Sequence, residues 1–259
     1  MMSDKKTLSK KRYTQFASGY VTSETHAKGS DLDTLLTIAD PQASWRVLDI
    51  ATGGGHTALK FAPHVAQVMA TDLTPNMLAE AERFITGQGV TNVKFRLADA
   101  ENLPFEDASF DCVTCRIAPH HFPDVPKFVS EAVRVLKIDG TLVIQDHMLS
   151  EDSDIAQLTE AFETLRDPSH NRAYSQTEWM SMIIQSGIKI TGRHHLTKRH
   201  ILLPWARRQG NDDAMIAQLR KMVANASDEA QAWMAIQAWD SDEASFVNHH
   251  LIIAGTKMV

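Results

Sequence analysis

Five apolar runs along the chain each end in a residue able to do chemistry: Asp49, Asp72, Asp99, Arg116 and Asp146. Asp49 stands just ahead of Gly53-Gly54-Gly55. A glycine turn opening a helix would suit a pyrophosphate, which a helix N-terminus attracts, but a carboxylate beside it repels phosphate. The same carboxylate accepts readily from an ammonium group, so an amino-acid moiety is the better match. Asp72 lies roughly 20 residues past the turn, where an acid closing the second strand holds ribose hydroxyls. Its plain alternative is a helix cap, a task for which Thr74, directly before Pro75, is better placed. Asp99 is suited to accept from the exocyclic amine of adenine, with Leu73 over one ring face; otherwise it is a loop acid. An ammonium group, a ribose and an adenine occur together in S-adenosylmethionine.

The segment Arg116-Ile117-Ala118-Pro119-His120-His121-Phe122-Pro123 would face the same sheet edge. Imidazole titrates near neutrality, so His120 and His121 are candidate general bases, His120 ahead of His121. Each could equally pack in the loop or contact a cofactor. Arg116, His120, His170 and Arg172 are candidate holders of an acceptor, the arginines and His170 of an anionic one. His120, His121, His147 and His170 lack metal-ligand spacing, so no metal is expected. Cys112 and Cys115 form a CxxC, but within a run that reads as a strand, where residues three apart face opposite sides. They read as small core residues rather than a redox or zinc pair.

Apolar runs at about 45–51, 67–72, 93–97, 111–117 and 141–145 read as strands, with helices at about 57–63, 75–88 and 125–136 between them. That alternation argues for an open α/β sheet with its ligands at the carboxyl edge. Met77, Leu78, Ala81 and Ile85 mark one apolar face of the second of these helices. Residues 1–12 are polar and read as mobile. Residues 13–40 read as helical, packed on the sheet or lying over the ligand. Beyond the fifth strand a helix is expected at about 152–166, followed by a polar loop to Arg172. Ser175 and Glu178 have capping-box spacing at the start of a helix that Gly187 stops. Part of 188–203 reads as a strand and Phe246–Thr256 as the last one. Between them 205–239 reads as helical, with Met215, Leu219, Met222, Trp233, Ile236 and Trp239 at core spacing. This insert, at about 205–240, reads as a lid or a dimer surface, which leaves a homodimer open. The expected division is an N-terminal helical segment, 1–40, and one domain, 41–259.

Composition narrows the function classes. The 259 residues are 43% hydrophobic and 22% charged, ordinary for a soluble globular chain. A formal net charge of −6 argues against a general nucleic-acid binder. No apolar run reaches about 18 residues, so no membrane span is expected. A basic N-terminus without an apolar signal core points to a cytoplasmic protein.

Residues about 45–148 resemble class I S-adenosylmethionine-dependent methyltransferases of the ubiquinone/menaquinone-biosynthesis type, the methyltransferase type 11 group. The resemblance rests on Val47-Leu48-Asp49 with Thr52-Gly53-Gly54-Gly55, Thr71-Asp72, Asn76-Met77-Leu78, Asp99-Ala100-Glu101, Leu103-Pro104-Phe105, Phe110-Asp111, and Arg134-Val135-Leu136 with Gly140. The glycine turn with His56, and Cys115-Arg116-Ile117-Ala118 with His120 and His121, resemble a bacterial subgroup. The resemblance implies a Rossmann-like seven-stranded sheet in the order 3-2-1-4-5-7-6, the last strand antiparallel. It implies that Asp49, Ala51, Thr52, Gly53 and Gly55 hold the methionine portion, Asp72 the ribose, and Asp99 and Ala100 the adenine, with Leu73 and Met77 also at the cofactor. Arg116 and Ile117 then face the methionine end. Ala51 stands where the group usually has glycine, a substitution of little cost if φ there is negative. The implied reaction is methyl transfer to a small-molecule acceptor at carbon, oxygen or nitrogen. The rivals are a nicotinamide-dependent oxidoreductase and an S-adenosylmethionine-binding protein that does not methylate.

Overall fold

The computed structural model describes residues 5–13 and 30–259. The chain enters the sheet through β1 (Arg46–Ile50), whose last four residues are buried. An apolar strand buried on both faces belongs in the middle of a parallel sheet, and β1 lies between β2 (Gln67–Asp72) and β4 (Phe110–Arg116), parallel to both. β3 (Val93–Leu97) flanks β2, and β5 (Leu136–Leu149) flanks β4. β8 (Ser245–Lys257) runs antiparallel between β5 and β7 (Ile188–Ile201). The order is β3-β2-β1-β4-β5-β8-β7. It is the expected seven-strand order, with one addition. The two-residue β6 (Tyr174–Ser175) pairs with Met148 and Leu149 at the end of β5.

Helices cover both faces. α2 (Ser30–Ala39), α3 (His56–Phe61) and α4 (Pro75–Gly87) lie on one side, where Leu35, Phe61 and Ile85 join Val47, Val68 and Cys112 in one apolar cluster. α5 (Val125–Val135) and α7 (Gln176–Gln185) lie on the other, where Phe128, Val129 and Trp179 join Leu48, Val113 and Cys115. The two cysteines therefore sit in different clusters on opposite faces, free and buried, and burial raises both thiol pKa values. The capping box opens α7 as its spacing foretold: Ser175 Oγ accepts from Glu178 N while the Glu178 carboxylate accepts from Ser175 N.

Three segments depart from expectation. Residues 5–13, of which 5–12 were expected to be mobile, form helix α1. Lys6 Nζ holds it over the sheet edge, 2.6 Å from Asp99 and 2.5 Å from Glu101, and Arg12 Nε lies 3.1 Å from Asp167. Of the helix expected over 13–40, residues 14–29 lie outside the described residues. The fifth strand, expected at about 141–145, is longer: the helix before it stops at Val135 and β5 begins at once, running from Leu136 to Leu149. Lys257 Nζ donates to the carbonyls of Val133 and Leu136, both at 2.7 Å, satisfying the helix end from the last strand. The stretch 205–239 is not one helix but three: α8 (Leu202–Arg207), α9 (Asp213–Ala224) and α10 (Asp228–Trp233). Gly210 at φ 75 breaks the first join, and Asp212 and Ser227 cap the second and third helices. Leu202, Trp205, Leu219 and Val223 then bury Phe246 and Phe162 of α6 (Ser153–Arg166) in a third cluster. Among the described residues, no helix is long and apolar enough to cross a membrane.

Candidate active site

The turn after β1 is fixed from below. Asp49 is 1% exposed and accepts from Thr52 Oγ1 at 2.7 Å and Thr114 Oγ1 at 2.8 Å. Burial pushes its carboxyl up to about 6, against those hydrogen bonds. Asp49 thus shapes the turn from below and stays outside the lining of the two cavities described below, its contact with an amino-acid moiety being an expectation from the sequence. Gly55 also stays off the cavity. Its φ is 84, and a Cβ there would fall 2.8 Å from Ile85 Cδ1, so both backbone and packing require glycine. Ala51 overturns the premise of a harmless substitution: its φ is 53, not negative. An L-residue in that region costs about 1–2 kcal/mol. Ile117, directly after β4, has the same φ of 53, an outlier for a β-branched residue. Its N–H donates to the Gln145 carbonyl at 2.7 Å. Strained residues at two neighbouring strand ends mark a site.

Between these ends lies a cavity open to solvent. Ala51, Thr52, Gly53, Asp72, Leu73, Met77, Asp99, Ala100, Arg116 and Ile117 all line it, as do Lys6 and Tyr13 of α1, which sequence reading missed. Asp72 is held by backbone: Gly53 N donates to Oδ2 at 3.1 Å and Thr74 N to Oδ1 at 2.9 Å. Burial raises its pKa, and these bonds oppose the rise. Thr74 is the N-cap of α4 without using its side chain. Asp99 accepts from Glu101 N at 3.0 Å and from Lys6 Nζ at 2.6 Å. Each of these carboxylate oxygens has more than one lone pair, which leaves acceptor capacity for hydroxyls and an amine. Leu73, Met77 and Ala100 supply apolar surface. The donor set therefore fits an adenosine bearing an amino acid.

Arg116 lines the cavity with its charge already engaged. Its Nε and Nη2 donate to Asp31 Oδ2 at 2.9 and 2.7 Å. Gln145 Nε2, at 2.9 Å, and Lys198 Nζ, at 2.8 Å, donate to the same oxygen. Burial alone would raise the Asp31 pKa; Arg116 and Lys198 outweigh it and hold the carboxyl well below its ordinary range. Arg116 so paired adds little field to repel a cationic sulfonium. Arg172 lies apart, its guanidinium on Glu178 and over Tyr174, and it lines neither cavity.

A second, smaller cavity shares Tyr13, Ile117 and His121 with the first. His120 and His170 line only the second. His120 Nδ1 lies 2.6 Å from Asp146 Oδ1, and its backbone N–H donates to Oδ2 at 2.7 Å. Its ring stacks on His147 at 4.3 Å. Burial beside other imidazoles keeps His120 and His147 neutral, and burial pushes Asp146 up to about 7. His170 Nε2 is 2.9 Å from Glu160, which holds its proton against burial. His121 stands on the shared wall. Its Nδ1 is 3.0 Å from the Ser169 carbonyl, which can only accept, so the proton is on Nδ1. Nε2 is left to accept from the Tyr13 hydroxyl. Burial lowers the His121 pKa, which keeps that lone pair available. Among the described residues no three His, Cys, Asp or Glu side chains are grouped to hold a metal.

A sheet ordered β3-β2-β1-β4-β5-β8-β7 with an antiparallel β8, a glycine turn after β1 and acids closing β2 and flanking β3 define a class I methyltransferase architecture. The comparisons agree. A family model described as a methyltransferase domain matches residues 48–144. The uncharacterized methyltransferase YcgJ of Bacillus subtilis is 36% identical over 246 residues, 95% of this chain and 97% of that one. Its solved structure superposes with a TM-score of 0.82 at 37% identity, covering 88% of this chain and 98% of that one. The structure of BH2331 from Bacillus halodurans C-125 gives 0.86 at 36%, covering 89% and 100%. The chain belongs to this methyltransferase family, and S-adenosylmethionine is its methyl donor.

Proposed function

We propose that the chain methylates a small molecule across the wall formed by Tyr13, Ile117 and His121. The observation that carries this is the sharing of those three residues by the two cavities. In this reading the first cavity holds the donor, with Asp72 on the ribose hydroxyls and Asp99 and Ala100 at the adenine. Bound there, S-adenosylmethionine supplies an electrophilic methyl group: the acceptor's lone pair forms the new bond as the carbon–sulfur bond breaks and its pair stays on sulfur. The chain's residues position the two partners in a dry pocket. Ile117 holds the wall between them. His121 Nε2, or the Tyr13 oxygen bonded to it, takes a proton where the acceptor atom carries one. His120 lines the acceptor side, its Nδ1 committed to Asp146, and serves as a positioning residue there. His121 therefore replaces His120 as the preferred base. Residues 41–259 act as one catalytic unit with α1 laid over it, a cytoplasmic enzyme.

Calorimetric titration of the protein with S-adenosylmethionine, S-adenosylhomocysteine and a nicotinamide dinucleotide tests the donor half. The expected result is binding of the two sulfur ligands alone. Binding of the dinucleotide alone would favour the oxidoreductase and overturn the reading.

A further inference from the structure

We propose that the second cavity takes an acceptor bearing a single carboxylate, held by Arg166 and His250; this rests on the methyl-transfer reading above. Both residues line the cavity and neither lines the first. Both ring nitrogens of His250 and the Nε of Arg166 are buried with no hydrogen-bond partner among the described residues. His250 is 1% exposed. Buried polar groups are paired as a rule, and leaving one unpaired is costly. Two such residues on one cavity describe donors waiting for an acceptor group.

The charge around them selects that group. Arg166 lies 4.3 Å over the Trp205 ring and donates Nη2 to the Trp205 carbonyl at 3.2 Å, which fixes the guanidinium without neutralising it. Two further cations line this cavity, Arg208 and Lys198, the latter tied to Asp31 at 2.8 Å. Asp167 is paired with Arg12, and Glu163 accepts from Asn248 Nδ2 at 2.7 Å. A guanidinium whose Nε–H has no acceptor suits a monoanion. A phosphate dianion would meet Glu163 and Asp167 with its second charge. A carboxylate offers two planar oxygens, one for the Arg166 Nε–H in a charge-assisted bond and one for the imidazole N–H of His250, which burial keeps neutral. The acceptor's reacting atom then lies at the opposite wall, against Tyr13 and His121.

The probe is benzoate, with benzamide and phenyl phosphate as controls, titrated in saturating S-adenosylhomocysteine. Histidine side-chain nuclear magnetic resonance gives the readout, the His250 signal being assigned by its loss in His250→Gln. Benzoate is expected to shift the His250 signal, and benzamide and phenyl phosphate to bind about tenfold more weakly or not at all. Arg166→Gln and Arg166→Lys are each expected to weaken benzoate by about tenfold or more. Both should leave S-adenosylhomocysteine affinity within about twofold, which also shows that the variants fold. Benzoate that does not bind, that binds no better than benzamide, or that ignores both Arg166 variants overturns the proposal while the donor reading stands. Loss of S-adenosylhomocysteine binding by the unmodified protein would instead overturn the donor reading.

Discussion

The first cavity, the proposed donor site, is held in shape by backbone. Its acids are oriented by the N–H groups of Gly53, Thr74 and Glu101, and most of its lining comes from turns after β1 to β4. The acceptor cavity is built of side chains: His120 from a turn, His147 and His250 from paired strands, Arg166 from the end of α6, Lys198 and His200 from β7. The family model stops at residue 144, so Arg166, Lys198, His200 and His250 all lie beyond it. The difference teaches how one fold keeps a fixed donor and varies its acceptor. A backbone-built site survives most side-chain changes, and a side-chain-built one is rewritten by any of them.

The sharpest way to break the contrast is to cut the joint between the two cavities. Asp31 binds Arg116 on the donor side and Lys198 on the acceptor side. Asp31→Ala is expected to lose about 3–5 kcal/mol of stability, because it strands two buried cations; denaturant unfolding measures it. The pH dependence has a definite sign. The folded pKa of Asp31 is depressed, so its contribution is present above an unfolded value of about 3.9 and is lost as pH falls through the folded one. The stability gap between the protein and Asp31→Asn should be flat near neutrality and narrow below about pH 4.

Next in size is the shared wall. With an acceptor that must lose a proton, His121→Ala is expected to lower turnover by about a hundredfold or more and to spare S-adenosylhomocysteine affinity. His120→Ala should act mainly through KM for the acceptor. Equal losses of kcat in both would end the distinction between them. Asp72→Ala should weaken S-adenosylmethionine by more than about tenfold without changing benzoate binding; calorimetry reads both. The smallest effect is expected from Ala51→Gly. Relief of the positive φ and the added freedom of the unfolded chain oppose each other, so stability should change by less than about 1 kcal/mol.

The donor half was legible because its residues are consecutive and each motif carries its own mechanism: strand, acid, glycines, helix. The opposed cysteines followed from the same local rules, whereas the strand order came from the family resemblance. What was not legible depended on tertiary placement. Asp49 has the residue type for a ligand contact, yet two threonines, one of them on β4, claim its oxygens. Arg116 has the type for anion binding, yet Asp31, 85 positions away, takes it. Tyr13, Arg166 and His250 gave no signal. They come together only because α1 crosses the sheet edge and β8 returns between β5 and β7.

The Asp31 cluster also sets a timetable for synthesis. Its four donors are translated in the order Arg116, Gln145, Lys198, the first supplying two of them, and Lys198 follows Asp31 by 167 residues. At roughly 5–20 residues per second, a nascent chain carries Asp31 for roughly 10–30 s before its last partner exists. Until then the carboxylate lacks its last donor, although Arg116 and Gln145 are already there to meet it. A ribosome that stalls short of β7 therefore holds a chain in which Asp31 can pair with Arg116 and Gln145 and not yet with Lys198.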